Sequence, residues 1–145
     1  MNWKNEAMER LRQYDAMCLA ADNIPQEISR LEAAATAIRS ARTDGCRVQS
    51  GGNRREEMLL DNMMSRQELH WRLDQTQIWL ACTNKALSAL DPEEKLVLQR
   101  LYIYPEKGSL ERLSNELGVE NSSIYRKRDK ALRHFTVALY GSLEN

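Results

Sequence analysis

Proline and glycine are scarce in this chain, at three and six of 145 residues. These residues most often interrupt helices, so their scarcity favours helix throughout. No apolar run approaches the length a bilayer requires, and no membrane span is expected. The stretch MNWKNEAMERLRQ has no apolar core of signal-peptide type, so the expected location is the cytoplasm. Three cysteines, Cys18, Cys46 and Cys82, form neither a Cys-x-x-Cys pair nor a Cys/His cluster, which argues for reduced thiols and against zinc. His70 and His134 stand without a second histidine or a carboxylate at metal-ligand spacing. There is no Ser/His/Asp set, no glycine loop closed by Lys-Ser/Thr and no acid pair with a base. The chain is therefore expected not to be an enzyme, and to use no metal, cofactor or catalytic residue.

What the sequence does hold is concentrated between Leu110 and Phe135. Leu110, Leu113 and Leu117 mark one face of a short helix. Gly118 follows at once, where a left-handed residue ends a helix best. Val119 plugs the turn, and Ser114 is small where two helices cross. Ile124, Ala131, Leu132 and Phe135 form the apolar stripe of a second helix. From Asn121 to Leu139, Arg126, Lys127, Arg128, Lys130 and Arg133 stand against Asp129 alone, although the whole chain carries no net charge. Helix, tight turn and basic helix is the composition of a helix-turn-helix, whose second helix enters the DNA major groove.

The first ninety residues carry a different pattern. Ala7, Leu11, Tyr14, Cys18 and Ala21 repeat at steps of four and three, a heptad-like seam. Pro25 either starts a new helix or kinks one long helix. Ile28, Leu31, Ala35 and Ile38 continue the seam to about Arg42. Thr43 to Asn53, with three glycines, reads as a loop, flanked by Arg39, Arg42, Arg47, Arg54 and Arg55. It is taken as a solvated tip, with a second nucleic-acid contact as the alternative. From Arg54 to Leu90 there is no glycine or proline. Leu69, Leu73, Thr76, Leu80, Thr83, Leu87 and Leu90 form another seam. Met58, Met63, Met64, Trp71, Ile78 and Trp79 add apolar surface that a two-helix hairpin cannot bury alone. A three-helix arrangement or a homo-oligomer through residues 1–90 is expected.

Asp91-Pro92-Glu93-Glu94 opens the next helix, with Asp91 as N-cap, Pro92 at the first position and Glu94 placed for a capping box. Leu96, Val97, Leu101 and Tyr102 are expected to face inward. Ser109 is expected to cap the following helix, and Gly141 to end the last one.

LDPEEKLVLQRLY, then a loop, then LERLSNELGVENSSIYRKRDKAL, resembles region 4 of bacterial sigma factors. The whole chain is similar to small sigma-factor-like late-gene regulators of the ArpU type, from phages and integrated elements of Gram-positive bacteria. The match is specific over residues 90 to 135 and looser before. It implies an all-α protein, with a long N-terminal helical hairpin (1–90) joined to a helix-turn-helix domain (91–145). The implied function is sequence-specific DNA-binding transcription regulation, with RNA polymerase as a possible second partner. Carried over by position, the implied base contacts are Asn121, Ser122, Tyr125 and Arg126. The implied backbone contacts are Ser123, Lys127, Arg128, Lys130 and Arg133. Their chemistry suits those roles: Asn bonds adenine, Arg bonds guanine and Tyr stacks or bonds phosphate. Two positions depart from the pattern. Glu120 stands where the family has a Ser or Thr cap, and Lys127 where it has an aliphatic residue. Two other readings compete: a DNA-binding packaging component similar to small terminase subunits, and a helical protein–protein adaptor.

Overall fold

The computed structural model describes residues 2–41 and 51–141. Among the described residues the chain is all-helical, with no strand. Two long helices come first, α1 (Trp3–Ser40) and α2 (Gly51–Ser88). Three shorter ones follow: α3 (Pro92–Leu98), α4 (Ser109–Leu117) and α5 (Asn121–Tyr140). A π-helical turn, Gln99–Ile103, extends α3. No helix among the described residues is long and apolar enough to cross a membrane.

The chain divides into two compact units, Leu19–Gln77 and Met1–Cys18 with Ile78–Asn145. In the first, α1 and α2 run antiparallel. The Asn62 amide donates to the Leu31 carbonyl at 2.8 Å. The Arg55 guanidinium donates to the Ile38 carbonyl at 3.2 and 3.1 Å. Ile28 and Ala35 are buried, as the seam predicts, and so are Asn62 and Thr76. Buried polar groups need partners. Asn62 also accepts from Arg66 Nε at 2.8 Å, and the Thr76 hydroxyl donates to the Arg72 carbonyl at 2.8 Å.

Pro25 neither starts a helix nor breaks one, since α1 passes through it. Its ring lies on the exposed side, where water can serve the carbonyl that proline leaves without a donor. The expected loop ends earlier than Asn53: Gly51 to Asn53 already form the first turn of α2. A first turn has no intrahelical acceptors for its amides, so glycine there gives up little cooperativity. Residues 43–50, with Cys46 and Arg47, lie outside the described residues, as does Arg42.

In the other unit, one apolar core gathers Ala7 and Leu11 of α1, Ala86 of α2 and Leu90. Leu98, Tyr102 and Ile103 join them, with Ala131, Leu132 and Phe135 of α5. This core spans both sides of residue 90. Leu11, Leu98, Leu132 and Phe135 are completely buried, and each such side chain contributes roughly 1.5–3 kcal/mol through burial. Arg10 ties α1 to α2, donating to Thr83 Oγ1 at 2.8 Å while lying 4.7 Å over the Trp79 ring. Tyr14 donates to Asn84 Oδ1 at 2.5 Å.

The start of α3 departs from the capping-box expectation. Asp91 is extended and Pro92 occupies the first turn, but Asp91 makes no side-chain cap bond. Glu94 does not fold back. It is 8% exposed and its Oε2 lies 2.6 Å from Nδ1 of His134 on α5. A carboxylate that is being buried gains more from a ring N–H or imidazolium than from a solvated cap. His134 is thus not solitary. The inward face of α3 also differs from expectation. Leu96 and Leu101 are half-buried, and Val97, Leu98, Tyr102 and Ile103 are buried. Beyond Leu98 the helix changes to the π turn, closed by the Tyr104 amide on the Gln99 carbonyl at 2.9 Å. A wider turn carries the inward face forward, so neighbours Tyr102 and Ile103 both reach the core.

Candidate nucleic-acid interface

Local chemistry places α4 and α5. Gly108, at φ +80°, is the N-cap of α4, and Ser109 is its first helical residue rather than its cap. The Ser109 hydroxyl instead braces the preceding loop. It accepts the Glu106 amide at 3.0 Å and donates to the Glu106 carbonyl at 2.6 Å. Gly118 ends α4 at φ +64°, a left-handed conformation that disfavours other L-residues by roughly 1–2 kcal/mol. The Ser114 hydroxyl donates to the Val119 carbonyl. Ser114 therefore ties the turn to α4 besides being small. Glu120 remains extended, and its carbonyl takes the amides of Ser123 and Ile124 at 3.0 and 3.2 Å. Its carboxylate makes no cap bond.

α5 packs on both α3 and α4 through Ile124, Ala131, Leu132 and Phe135, all at 0% exposure. These are the four residues of the sequence-read stripe. With about 3.6 residues per turn, the opposite side carries Ser122, Arg126, Lys130 and Arg133, within roughly a quarter of the circumference. All four are exposed. Among the described residues, no hydrogen bond or ion pair engages Arg126, Lys130 or Arg133. Asn121 and Tyr125 are also exposed, on one flank.

The remaining candidates are placed differently. Ser123 is half-buried. Lys127 pairs with Glu93 of α3, which gives that unusual lysine an internal partner. Arg128 donates to Asp129 Oδ1 at 3.0 and 2.9 Å and lies 5.0 Å from the centre of the Tyr125 ring. Asp129 in turn meets Lys4 of α1 at 2.8 Å. The hydrogen bond from Lys4, then that from Arg128, holds the Asp129 carboxyl below the usual range against the opposing effect of burial. Burial pushes the Tyr102 phenol up, with Arg128 beside it acting in the opposite sense.

The basic helix therefore separates into uncommitted cations, Arg126, Lys130 and Arg133, and internally paired ones, Lys127 and Arg128. Sequence reading did not find Lys4, Glu93 or Glu94 as partners of α5. Charge sign was the only available signal, and it does not specify pairing across distant segments. Elsewhere in this unit, a cavity of about 590 Å³ is lined by Arg100, Arg112, Glu106 and Glu116. Its charges are already paired, Arg100 with Glu116 at 3.2 Å and Arg112 with Glu106 at 2.7 Å. No group of three His, Cys, Asp or Glu residues among the described residues could hold a metal. No protein-family model, curated protein or solved structure matches this chain.

Proposed function

We propose that the chain is a sequence-specific, DNA-binding transcription regulator of a phage or integrated element. In this reading α4, the Gly118 turn and α5 form a helix-turn-helix similar to sigma region 4, and α5 is the recognition helix. The reading is supported most by one observation: Ser122, Arg126, Lys130 and Arg133 lie exposed opposite the buried stripe, and the three cations have no hydrogen-bond or ion-pair partner among the described residues. Uncommitted cations on one helix face suit phosphate and base contact, because no internal ion pair must first be broken. Arg126, near the helix start, suits a guanine edge. Lys130 and Arg133 suit phosphates, and Asn121, Ser122 and Tyr125 suit neighbouring bases. Ser123, Lys127 and Arg128 are weaker candidates for backbone contact, since the first is half-buried and the others are paired.

The test is selection of bound duplexes from a random pool, followed by affinity against salt. Arg126→Ala is expected to lose roughly 1–3 kcal/mol on the best site and to relax preference at one or two positions. Lys130→Ala and Arg133→Ala should each lower the log–log salt slope by about one. A wild-type chain that enriches no motif sinks the regulator reading. One that also binds no duplex at low salt leaves the adaptor.

The same proposal includes self-association through residues 1–90. On α2, Leu60, Met64 and Trp71 are 51%, 58% and 63% exposed. They lie four and seven residues apart, a second stripe of heptad type, and a second copy of the chain is its proposed cover. Trp71→Glu should then lower the mass measured by light scattering, without changing the helix content. A wild-type monomer at high concentration disproves this part. RNA polymerase contact and cytoplasmic location belong to the proposal through the resemblance alone.

A further inference from the structure

Tyr125 presents an exposed ring near the start of α5. A ring on a helix surface ordinarily samples several rotamers, and a ring that reads a base must hold one. Here the ring has a neighbour three residues on, which shares its side of the helix. The Arg128 guanidinium lies 5.0 Å from the ring centre, within cation–π range. Arg128 is itself restrained: its Nε and a terminal nitrogen both donate to one oxygen, Asp129 Oδ1. The same oxygen receives Lys4 Nζ at 2.8 Å. Three N–H groups thus converge on one acceptor, and that of Lys4 comes from a different helix. Lys4 is fixed in turn, because Ala7 and Leu11, one and two turns further along α1, lie in the core with Leu132 and Phe135.

The convergence on Asp129 Oδ1 serves more than charge balance. Tyr125, Arg128 and Asp129 share one side of α5, and Arg128 contacts both of the others, the ring through its guanidinium plane and the carboxylate through two N–H groups. Its side chain is only 24% exposed, which suits a support better than a phosphate contact.

We propose that Lys4 is a positioning residue for Tyr125. It anchors Asp129, Asp129 orients Arg128, and Arg128 holds the Tyr125 ring in the pose that reads a base. A residue of the first helical turn, far outside the α4–α5 segment, thereby sets part of the base preference. This inference rests on the reading of α5 as a DNA-facing helix.

The experiment uses the full chain as wild type, Lys4→Ala, Lys4→Arg and Tyr125→Ala. Two quantities are read: the Tyr125 ring-proton resonances without DNA, and the motif enriched from a random duplex pool, with the salt slope on its best member. Lys4→Ala is expected to shift the Tyr125 resonances. It should also weaken preference roughly two- to fivefold at the base pairs that Tyr125→Ala affects, the scale of one exposed cation–π contact. The salt slope should stay unchanged, and Lys4→Arg should restore both the resonances and the preference. A helix staple without a positioning role would lower the melting temperature and leave the motif intact, which overturns the inference. Unmoved ring resonances overturn it as well. So does a uniform loss across all sequences with the slope lower by about one, because Lys4 would then be a phosphate contact. If wild type enriches a motif that Lys4→Ala enriches equally, the inference falls and the DNA reading stands. If wild type enriches none, the DNA reading falls and takes the inference with it.

Discussion

The two units are built from the same long helices, yet they bury their side chains to different depths. Among the described residues of Leu19–Gln77 the buried side chains are small or polar, Ala35, Asn62 and Thr76, with Ile28 the one large apolar residue among them. Leu31, Leu69 and Leu73 remain half-exposed. In the other unit Leu11, Val97, Leu98, Leu113, Ile124, Leu132 and Phe135 are sealed at 0%. Two helices can close only one seam between them, whereas the ends of α1 and α2 share a core with α3, its π turn and α5. The comparison teaches that heptad spacing alone fixes which residues face inward, and that the number of neighbouring elements fixes how deeply they are buried.

The largest test of this difference is a matched pair of truncations. Phe135→Ala is expected to cost roughly 3–5 kcal/mol, the range for a sealed aromatic. Leu73→Ala should cost about 1–2 kcal/mol, because water already reaches part of that side chain. Urea denaturation measures both, and equal costs would break the comparison.

A smaller effect sharpens it at the junction of α1 with α5. Asp129 is held below the ordinary carboxylate range in the folded chain. Its contribution is therefore fully present above the unfolded carboxylate range and lost as pH falls through the depressed folded value. Its side chain is 47% exposed, so solvent screening limits the contribution to about 1 kcal/mol or less. Asp129→Asn should lower the melting temperature slightly near neutral pH and leave it unchanged in strong acid. An equal gap between the two melting curves at every pH would show that the pair with Lys4 carries no pH-linked stability.

The parts of the fold that the sequence made visible are those encoded within a few residues. The stripe of Ile124, Ala131 and Phe135 follows from helical period, and the left-handed Gly118 from the end of a leucine face. Exposure of Ser122 and Arg126 follows from the same period, whereas Asn121 and Tyr125 stand on the flank that further along holds the buried Leu132. Contacts between distant segments were not visible. Glu94 looks like a capping residue locally, and only the approach of His134, forty positions away, redirects it. Lys127 resembles a free cation until Glu93 of α3 is placed beside it, and nothing near Asp129 in the sequence announces Lys4 of α1. Pro25 shows the opposite case, a strong local signal outweighed by a helix that packs on both sides of it.

The π-helical turn, Gln99–Ile103, makes chain length an instruction in its own right. An ordinary helix advances by about 100° per residue, so a segment one residue shorter would present a different face to the core beyond that point. The extra residue adds little reach and instead changes direction. It brings the adjacent side chains of Tyr102 and Ile103 under cover together. It also leads into the Tyr104–Lys107 loop that the Ser109 hydroxyl braces ahead of α4. Spacing across this turn thus acts as a setting of angle, and two chains identical at every buried position but differing by one residue here would aim their last two helices differently.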